Sequence, residues 1–432
     1  MRDLIVVLFI VGMIPFMIKR PWIGVMMALW ISLMNPHRFG WGFAYDLPVA
    51  VIAVAATLIG MVFSRERFRL PINGTTILLI MLPLWMSVTL VFAFNFNDAV
   101  VRWESVMKVF FFILVSASIL QTRKQIDALI WVVVFSVGFF GFKGGLFTIL
   151  TGGSSKVYGP PGDGYISDNN AISVALVMII PLAHYLALYA KQRWIKYGLY
   201  ATVALSAIAV LGSHSRGAFL AVVVMSVLLW LKSRRKFALG LIVAAALPVA
   251  IMAMPDSWKD RMRTVETYEE DTSAMGRINA WHMAFNVAND RPLVGGGFEL
   301  YSPDVFARYA PDPEDVHSAH SIYFQMLGEH GYVGFLLFLS LFVVGWLSAR
   351  RIIRFAQGKP EVAWASDLAR AVQVSMVGFA IGGAFVNIGY WELQYYELVA
   401  LMVTWNIIRK PVPVVATEPR TGAVATKAGA RV

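Results

Sequence analysis

Long apolar runs recur along the chain from its first residues to about position 408, and they constrain its fold more than any other feature. A run of about 20 apolar residues is long enough to cross the hydrocarbon core of a bilayer as a helix. Inside lipid every backbone amide needs an internal partner, so such runs fold as helices. Because the runs occupy most of the chain, we predict an all-α polytopic membrane protein.

About thirteen apolar segments can be distinguished and the first two are short, so we predict 12 to 13 transmembrane helices. Charged residues make up only 15% of the chain, against about 25% in an average soluble protein. The pair Lys19-Arg20 stands where the small residues of a signal-peptide cleavage site would stand, so we expect the first segment to remain in the mature chain. The segments are 4–18, 22–34, 48–63, 74–93, 103–120, 127–150, 171–190, 197–213, 217–231, 237–253, 332–349, 368–389 and 394–408.

Lys and Arg cluster in alternate connections between the segments, and cytoplasmic loops are the ones that retain positive charge. The other connections then face outward, toward the periplasm if this is the inner membrane of a Gram-negative bacterium, and the C-terminus is cytoplasmic. This alternation explains most of the formal net charge of +11, so we predict no nucleic-acid partner. The basic connections contain Lys19 and Arg20; Arg65, Arg67 and Arg69; Arg123 and Lys124; Lys191, Arg193 and Lys196; Lys232, Arg234, Arg235 and Lys236; Arg350, Arg351, Arg354 and Lys359; and Arg409 and Lys410.

One outward connection, 254–319, is 66 residues long, and loops of that length are usually functional. The stretch 254–331 holds 13 of the 26 acids but only six Lys and Arg. Within it, 276–287 and 321–330 have helical spacing, so we expect a partly helical loop that packs on the membrane domain. We therefore divide the chain into N-terminal transmembrane helices (1–253), a large periplasmic loop with the catalytic motifs (254–331), C-terminal transmembrane helices (332–410) and a disordered cytoplasmic tail (411–432).

Polar residues beside apolar spans mark candidate sites, because burying such a group without a partner costs several kcal/mol. Arg216 occupies the short outward turn 212–217, where its guanidinium either reaches lipid phosphate or binds a substrate phosphate. Arg277 and Trp281 lie four residues apart and share a helix face. They either form a structural stack, with a salt bridge from Arg277 to the acids at 269–271 as a further possibility, or bind an anionic sugar phosphate beside an aromatic platform.

His317 and His320 form a pair three residues apart, directly before the helix expected at 321–330. Such a pair could bind a metal ion, but no third ligand is evident and we predict no metal site. A neutral imidazole, whose pKa is ordinarily about 6.5, is suited to taking a proton from a hydroxyl at ambient pH. The alternative is that both histidines are cap and surface residues of a periplasmic helix.

Three further cations lie at or within apolar segments. Lys143 interrupts an apolar run, and Lys108 and Arg102 lie at the outer end of another. Each either adds positive potential to the same cavity or extends to the lipid interface. Acids in mid-span are nearly absent, whereas proton- or sodium-coupled carriers commonly use them. The chain has no Cys, which excludes disulfides, thiolate zinc and iron–sulfur centres, and we expect no cofactor.

In this order the motifs resemble the O-antigen ligase / O-antigen polymerase superfamily, and the resemblance covers essentially the whole membrane region. The elements 34–38 and 168–170 look like its O-glycosylation ligase branch. One departure is Ser321, where the family usually has Asn after the catalytic His. The other motifs that carry the resemblance are the Ser-Arg-Gly turn at 215–217, Arg277-x3-Trp281, Pro-Leu-Val-Gly-Gly-Gly-Phe at 292–298, and His320-Ser-x-Tyr-x-Gln325 with Gly331 and Gly334.

The resemblance implies an O-antigen ligase, which performs metal-independent, inverting glycosyl transfer on the periplasmic side of the membrane. The donor would be an undecaprenyl-diphosphate-linked glycan and the acceptor a lipid A-core sugar. His320 would be the catalytic base, and Arg216 and Arg277 would bind the diphosphate. The supporting residues would be His317, Trp281, Lys143 and Asp168.

Other functions fit the same pattern. Two share its chemistry: a protein O-oligosaccharyl ligase and the O-antigen polymerase differ from the ligase only in the acceptor. From another class, a polysaccharide or lipid flippase or transporter predicts basic side chains through the depth of the membrane. A metal-dependent glycosyltransferase would need an acid in an early outward loop. Asp46 is the candidate between the second and third segments, and no second acid is paired with it there.

Overall fold

The computed structural model describes residues 2–40, 42–162, 164–232, 248, 252, 254–263 and 272–409. Over these residues the fold is helical throughout and contains no β-strand, which confirms the all-α prediction. Four sequence predictions fall wholly or partly outside the described part of the chain. They are the apolar run 237–253, apart from two positions, the basic residues Arg234, Arg235, Lys236 and Lys410, the acids at 269–271, and the tail 411–432.

The described helices follow the predicted apolar segments closely, as when the run 48–63 becomes a helix from Val49 to Phe63. Short 3₁₀ turns lie at Pro36–Phe39, Pro360–Val362 and Gly383–Phe385. The α-helices in chain order are α1 (Arg2–Lys19), α2 (Pro21–Met34), α3 (Val49–Phe63), α4 (Gly74–Val91), α5 (Phe96–Ile119), α6 (Arg123–Leu150), α7 (Asn169–Tyr189), α8 (Arg193–Gly212), α9 (Arg216–Lys232), α10 (Asp256–Arg263), α11 (Thr272–Asp290), α12 (Pro303–Tyr309), α13 (Ile322–Phe355), α14 (Ala363–Gly382) and α15 (Glu392–Ile408).

Six of the described helices are long and apolar enough to cross a membrane, namely α4, α6, α7, α8, α13 and α14 with its flanking turns. Helices α2 and α3 and the stretch Arg216–Leu228 of α9 are apolar but shorter. The prediction of a multi-pass membrane protein is therefore confirmed. The total of 12 to 13 spans stays a prediction.

Helix α7 lies in the interior of the bundle, where it packs against α6, α8, α9 and α14. Most of its side chains are buried, as expected for a helix that is apolar on every side. Its neighbours α6 and α8 approach each other closely because small residues lie between them. A Cβ added at Gly145 of α6 would lie 2.7 Å from the Cβ of Leu205 on α8. This packing fixes the ends of α7 and α8, where polar motifs lie.

The described part of the long connection packs on the membrane helices, as expected. Helix α11 lies along α13, and its apolar face, including Met283, forms a small core with Phe306 of α12. Trp258 of α10 donates its indole N–H to the carbonyl oxygen of Leu211 near the end of α8, at 2.9 Å. The helices predicted at 276–287 and 321–330 are confirmed as parts of α11 and α13.

Helix α13 is broken at Gly331, whose φ of 65° and ψ of −172° lie in a region essentially restricted to glycine. The break interrupts the helical hydrogen-bond ladder, and the loop at 292–298 takes up the released groups. The amide of Gly296 donates to the carbonyl of Gly328 at 2.8 Å, and that of Gly297 to the carbonyl of Glu329 at 2.9 Å. The short segment 322–330 thereby ends beside the loop, and the longer part of α13 begins.

Candidate active site

The turn between α8 and α9 is held by buried polar contacts. Ser213 and Ser215 are almost completely buried, and His214 adopts a left-handed backbone conformation with a φ of 58°. The Nε2 of His214 lies 2.8 Å from the carbonyl oxygen of Gly153, and the side-chain amide of Asn169 donates to the carbonyl of Ser213 at 2.8 Å. The turn is therefore fixed from two sides, and it places Arg216 at the first position of α9.

Arg216 lines a cavity of about 660 Å³, here called the arginine cavity. Arg277 and Trp281 of α11 line it too, so two of the predicted cations meet at one cavity. The N-terminus of α9 lies at the same place, and the positive end of a helix dipole favours anions. Apolar side chains complete the wall: Phe219, Leu220, Val223, Met262, Ile278 and Phe385. The cavity can therefore hold an anionic group joined to an apolar chain.

A second cavity of about 320 Å³, here called the histidine cavity, is lined by Arg277, His317 and His320 together with Thr272 and Ser273. Arg277 lines both cavities. The structure thus brings together the three residues that the sequence proposed for catalysis and diphosphate binding, although they lie on three separate segments.

Helix α11 positions the segment that carries the two histidines. The side chain of Asn279 donates to the carbonyl oxygens of Asp312 and Asp315, at 2.7 and 3.0 Å, and accepts from the amide of Asp312 at 2.9 Å. Trp281 donates its indole N–H to the carbonyl oxygen of Ala319 at 2.6 Å. Because Arg277 lies on the same rigid helix, its distance from the histidines is set by these contacts.

Trp281 stacks on Phe324, with ring centroids 5.1 Å apart and an angle of 8° between the rings. Its indole is thus held on one face by α13 and at the N–H by Ala319, while it also lines the arginine cavity. This geometry gives Trp281 a structural part in the site. A role as a sugar platform stays a prediction.

His320 has a left-handed backbone conformation with a φ of 43°, which a residue with a Cβ adopts at a cost of about 1–3 kcal/mol. Burial lowers the pKa of its imidazole, the positive charge of Arg277 and the nearby His317 lower it further, and Asp168 opposes this shift. The ring is therefore neutral at pH 7. A neutral imidazole can accept a proton.

His317 differs from His320 because its Nε2 lies 3.2 Å from the Oδ1 of Asp315. Its side chain is also more exposed, and it packs so closely on Gly276 of α11 that an added Cβ would meet its ring. His320 is thus the more enclosed of the two imidazoles that line the histidine cavity.

Asp168 caps the N-terminus of α7 by accepting from the amides of Asn170 and Ala171, at 2.8 and 3.1 Å. It is near enough to His320 to affect the pKa of the imidazole. The next residues also belong to the site, since Asn169 fixes the turn before Arg216 and Asn170 lines the arginine cavity. The element 168–170 therefore contributes to the arginine cavity and lies near His320.

The remaining cations lie elsewhere. Lys143 is exposed on α6 and lines neither cavity, so a contribution to the site stays a prediction. Lys108 is exposed and pairs with Glu104 at 2.5 Å. Arg102 and Asp46 line a third cavity of about 600 Å³. In the described part of the chain, no group of three or more His, Asp or Glu side chains is placed to hold a metal ion.

Two residues of the candidate site were not predicted from the sequence. Asn279 stands between Ile278 and Ala280, and a polar residue on the buried face of α11 was the signal that could have marked it. Asn387 accepts the amide N–H of Ser321, next to His320, at 3.1 Å. It lies 66 residues further along the chain, and spacing in sequence gives no indication of this contact.

Two family models match the chain. Residues 1–191 match a family of unknown function, DUF5935. Residues 201–339 match the family O-Antigen ligase, and this range contains Arg216, Arg277, Trp281 and both histidines. No curated protein matches the chain. The chain therefore carries an O-antigen ligase domain at residues 201–339, which confirms its resemblance to the O-antigen ligase superfamily.

Proposed function

We propose that the chain is an O-antigen ligase, a glycosyltransferase that moves an undecaprenyl-diphosphate-linked O-antigen polysaccharide onto a sugar hydroxyl of lipid A-core. The observation that carries this proposal is that Arg277 lines both the arginine cavity and the histidine cavity. Two cations for a diphosphate and a neutral imidazole for a hydroxyl thus adjoin one another. The family match over residues 201–339 supports a transferase of this type.

The proposed location is the inner membrane of a Gram-negative bacterium, with 12 to 13 spans, the catalytic loop 254–331 in the periplasm and the C-terminus in the cytoplasm. The distribution of Lys and Arg supports this orientation. The turn before α9 and the segment before α13 belong to connections with few basic residues. A periplasmic site also suits a donor and an acceptor that are both anchored in the membrane.

In the proposed reaction the donor's diphosphate occupies the arginine cavity, where Arg216 and Arg277 bind its oxygens, and the apolar wall receives the polyprenyl chain. Negative charge grows on the diphosphate as its bond to the sugar C1 breaks. The two guanidinium groups and the N-terminus of α9 stabilise that charge more strongly in the transition state than in the ground state. The diphosphate then leaves with the bonding electron pair.

His320 acts as the general base. Its neutral imidazole takes the proton from the acceptor hydroxyl while the hydroxyl oxygen attacks C1 on the face opposite the leaving diphosphate. One C–O bond forms as another breaks, and the configuration at C1 is inverted. The proton remains on His320 until it is lost to water. No nucleotide or metal ion takes part in this sequence.

Two relatives differ only in the acceptor: a protein O-oligosaccharyl ligase would use a Ser, Thr or Tyr hydroxyl, and an O-antigen polymerase another lipid-linked repeat. A flippase or transporter would instead move the lipid-linked glycan without forming a bond. Arg216, Arg277 and His320 are grouped around adjoining cavities, and a flippase calls for basic groups spread along the membrane normal. This grouping favours transfer over transport.

The test is reconstitution of the full chain in proteoliposomes with the lipid-linked glycan and lipid A-core. We expect His320→Ala to lower turnover by about 10²-fold or more, as loss of a general base does, and His317→Ala to retain more activity. Full activity in His320→Ala would contradict the proposed mechanism. Loss of activity in His317→Ala alone would identify His317 as the general base. Transfer without lipid A-core, to protein or to glycan, would identify one of the two relatives.

Addition of a chelator distinguishes the proposed mechanism from that of a metal-dependent glycosyltransferase. The proposed mechanism expects the same rate in the presence and absence of EDTA. Loss of turnover with EDTA and its recovery with Mn²⁺ would instead support a metal-dependent transferase that uses Asp46.

A further inference from the structure

The third cavity, of about 600 Å³, is built mainly by the N-terminal part of the chain. Its wall includes Arg38 and Asp46 from the connection between α2 and α3, Arg102 from α5, Tyr165 from the loop before α7, and Glu392 from the start of α15. The proposed mechanism uses none of these residues. Here it is called the N-terminal cavity.

Unsatisfied polar atoms are concentrated at the N-terminal cavity. The Nδ1 of His37, the Nε of Arg38 and the hydroxyl of Tyr165 are buried without a hydrogen-bond partner among the described residues. All three side chains line the cavity. A buried polar group without a partner costs about 1–3 kcal/mol. A small movement of these three side chains toward a polar ligand in the cavity would remove that cost.

The charges around the cavity indicate which kind of ligand this is. The cations Arg38 and Arg102 share the wall with the acids Asp46 and Glu392. Glu392 also accepts a hydrogen bond from the hydroxyl of Ser32. Burial raises the pKa of the Glu392 carboxyl, which favours its protonated form. Donors and acceptors therefore stand side by side on this wall, and they suit hydroxyl groups, which both donate and accept.

The neutral groups of the wall also suit a ligand with hydroxyl groups. Burial lowers the pKa of His37, and the charge of Arg38 adds to this effect. Burial raises the pKa of Tyr165 to about 12. Both side chains are therefore uncharged at pH 7. Aromatic rings accompany the polar groups, since the guanidinium of Arg38 lies 5.4 Å from the ring centre of Tyr45 and that of Arg102 lies 4.9 Å from the ring centre of Tyr165.

Two chain segments connect this cavity to the candidate active site. Asn387 lines the cavity and binds the amide of Ser321, which directly follows His320. On the other side, Tyr165 belongs to the loop that ends at Asp168, near His320. A ligand in the cavity would therefore lie against one residue that binds the segment of the proposed base and against a loop that ends near it.

We propose that the N-terminal cavity binds a saccharide, a hydroxyl-rich and largely uncharged portion of one of the two substrates. This inference rests on the proposed function. It gives residues 1–191, whose matching family has no known function, the role of holding a sugar beside His320. The saccharide could belong to the acceptor or to the donor, and the two sources share the chemistry that the wall recognises.

Binding of free saccharides to the full chain in lipid nanodiscs tests the proposal. The probes are delipidated core oligosaccharide and delipidated O-polysaccharide, followed by calorimetry. Tyr165→Phe removes one hydroxyl, and Arg38→Lys keeps the charge but removes the Nε donor. Each is expected to weaken binding by about five- to tenfold, the value of one hydrogen bond. Tyr158→Phe, on the exposed ring of the same loop, is the matched control and should bind as wild type.

The results show which substrate supplies the saccharide, and they test the saccharide site independently of the proposed transferase activity. Binding of the core oligosaccharide alone assigns the cavity to the acceptor, and binding of the O-polysaccharide alone assigns it to the donor. If neither saccharide binds, or if both variants bind saccharide as the control does, the proposal of a saccharide site is wrong. His320→Ala should bind saccharide normally while turnover is lost. Failure of the transferase proposal would appear in turnover, and failure of this inference would appear in binding.

Discussion

The indole N–H of Trp281 donates a hydrogen bond to the carbonyl oxygen of Ala319, the residue before His320. The bond joins the helix that carries Arg277 to the segment that carries the proposed base. Since His320 adopts a left-handed backbone conformation, its segment needs contacts of this kind to stay in place. The bond of this indole nitrogen therefore adds to the contacts of Asn279 that set the relative position of cation and base.

Trp281→Phe should remove this hydrogen bond and keep an aromatic ring against Phe324. A displacement of about 1 Å at a reacting group can cost about 10²-fold in rate, so we expect turnover to fall by about ten- to a hundredfold. Initial rates of glycan transfer in proteoliposomes measure the effect. Trp194→Phe is the control, because Trp194 is 75% exposed on α8. Wild-type turnover in Trp281→Phe would mean that the bond does not position His320.

Gly331→Ala should destabilise the protein by about 3 kcal/mol or more. The backbone conformation at Gly331 disfavours any Cβ, and an added Cβ would lie 2.5 Å from the carbonyl oxygen of Leu293. Because that neighbour is backbone, it cannot rotate away. The apparent melting temperature in detergent and the yield of monodisperse protein measure the effect.

Gly198→Ala is the matched control for the change at Gly331. Gly198 lies in α8, and an added Cβ would meet nothing within 4 Å. Helix propensity alone then predicts that the free energy of unfolding rises by up to about 1 kcal/mol. The melting temperature should be equal to that of the wild type or slightly higher. Equal behaviour of the two variants would show that the break in α13 can accept a side chain.

Much of this architecture could be predicted from local sequence, and the rest depends on contacts between distant segments. The apolar run at 48–63 predicted one helix, and helical spacing at 276–287 predicted another. Both patterns lie within the helix that they predict. Arg216, Arg277 and His320 could be selected because polar groups beside apolar spans need a reason. The bond from Ser321 to Asn387 had no local signal, since it forms only when the start of α13 meets the connection between α14 and α15.

Asn279→Ala should loosen the segment before the histidines, because it removes three hydrogen bonds to Asp312 and Asp315. At about 1 kcal/mol each, the local free energy of opening falls by about 2–3 kcal/mol. Hydrogen–deuterium exchange of the peptides covering 312–320 measures this change. Asn286→Ala, on the same helix with one bond to Tyr309, is the control and should leave those peptides protected. Unchanged protection in Asn279→Ala would contradict the role given to that side chain.

The pH dependence of transfer should report the titration of His320. Burial, with Arg277, holds the pKa of His320 below its ordinary value of 6.5. The neutral ring is the active form, so kcat/KM should rise with pH, through a midpoint below 6.5, and level off above that midpoint. The negative charge of Asp168 raises this pKa, so Asp168→Asn should move the midpoint to lower pH.

Asn is a good substitute for Asp168 because it caps a helix about as well as Asp does, so α7 should keep its N-terminus. Asp304→Asn, on the exposed side of α12, is the control and should leave the midpoint unchanged. Rates measured from pH 4.5 to about 8 at constant ionic strength separate the curves, since an imidazole titrates within this range. A midpoint that moves upward in Asp168→Asn, or a profile without an acid limb in the wild type, would show that His320 is not the group that accepts the proton.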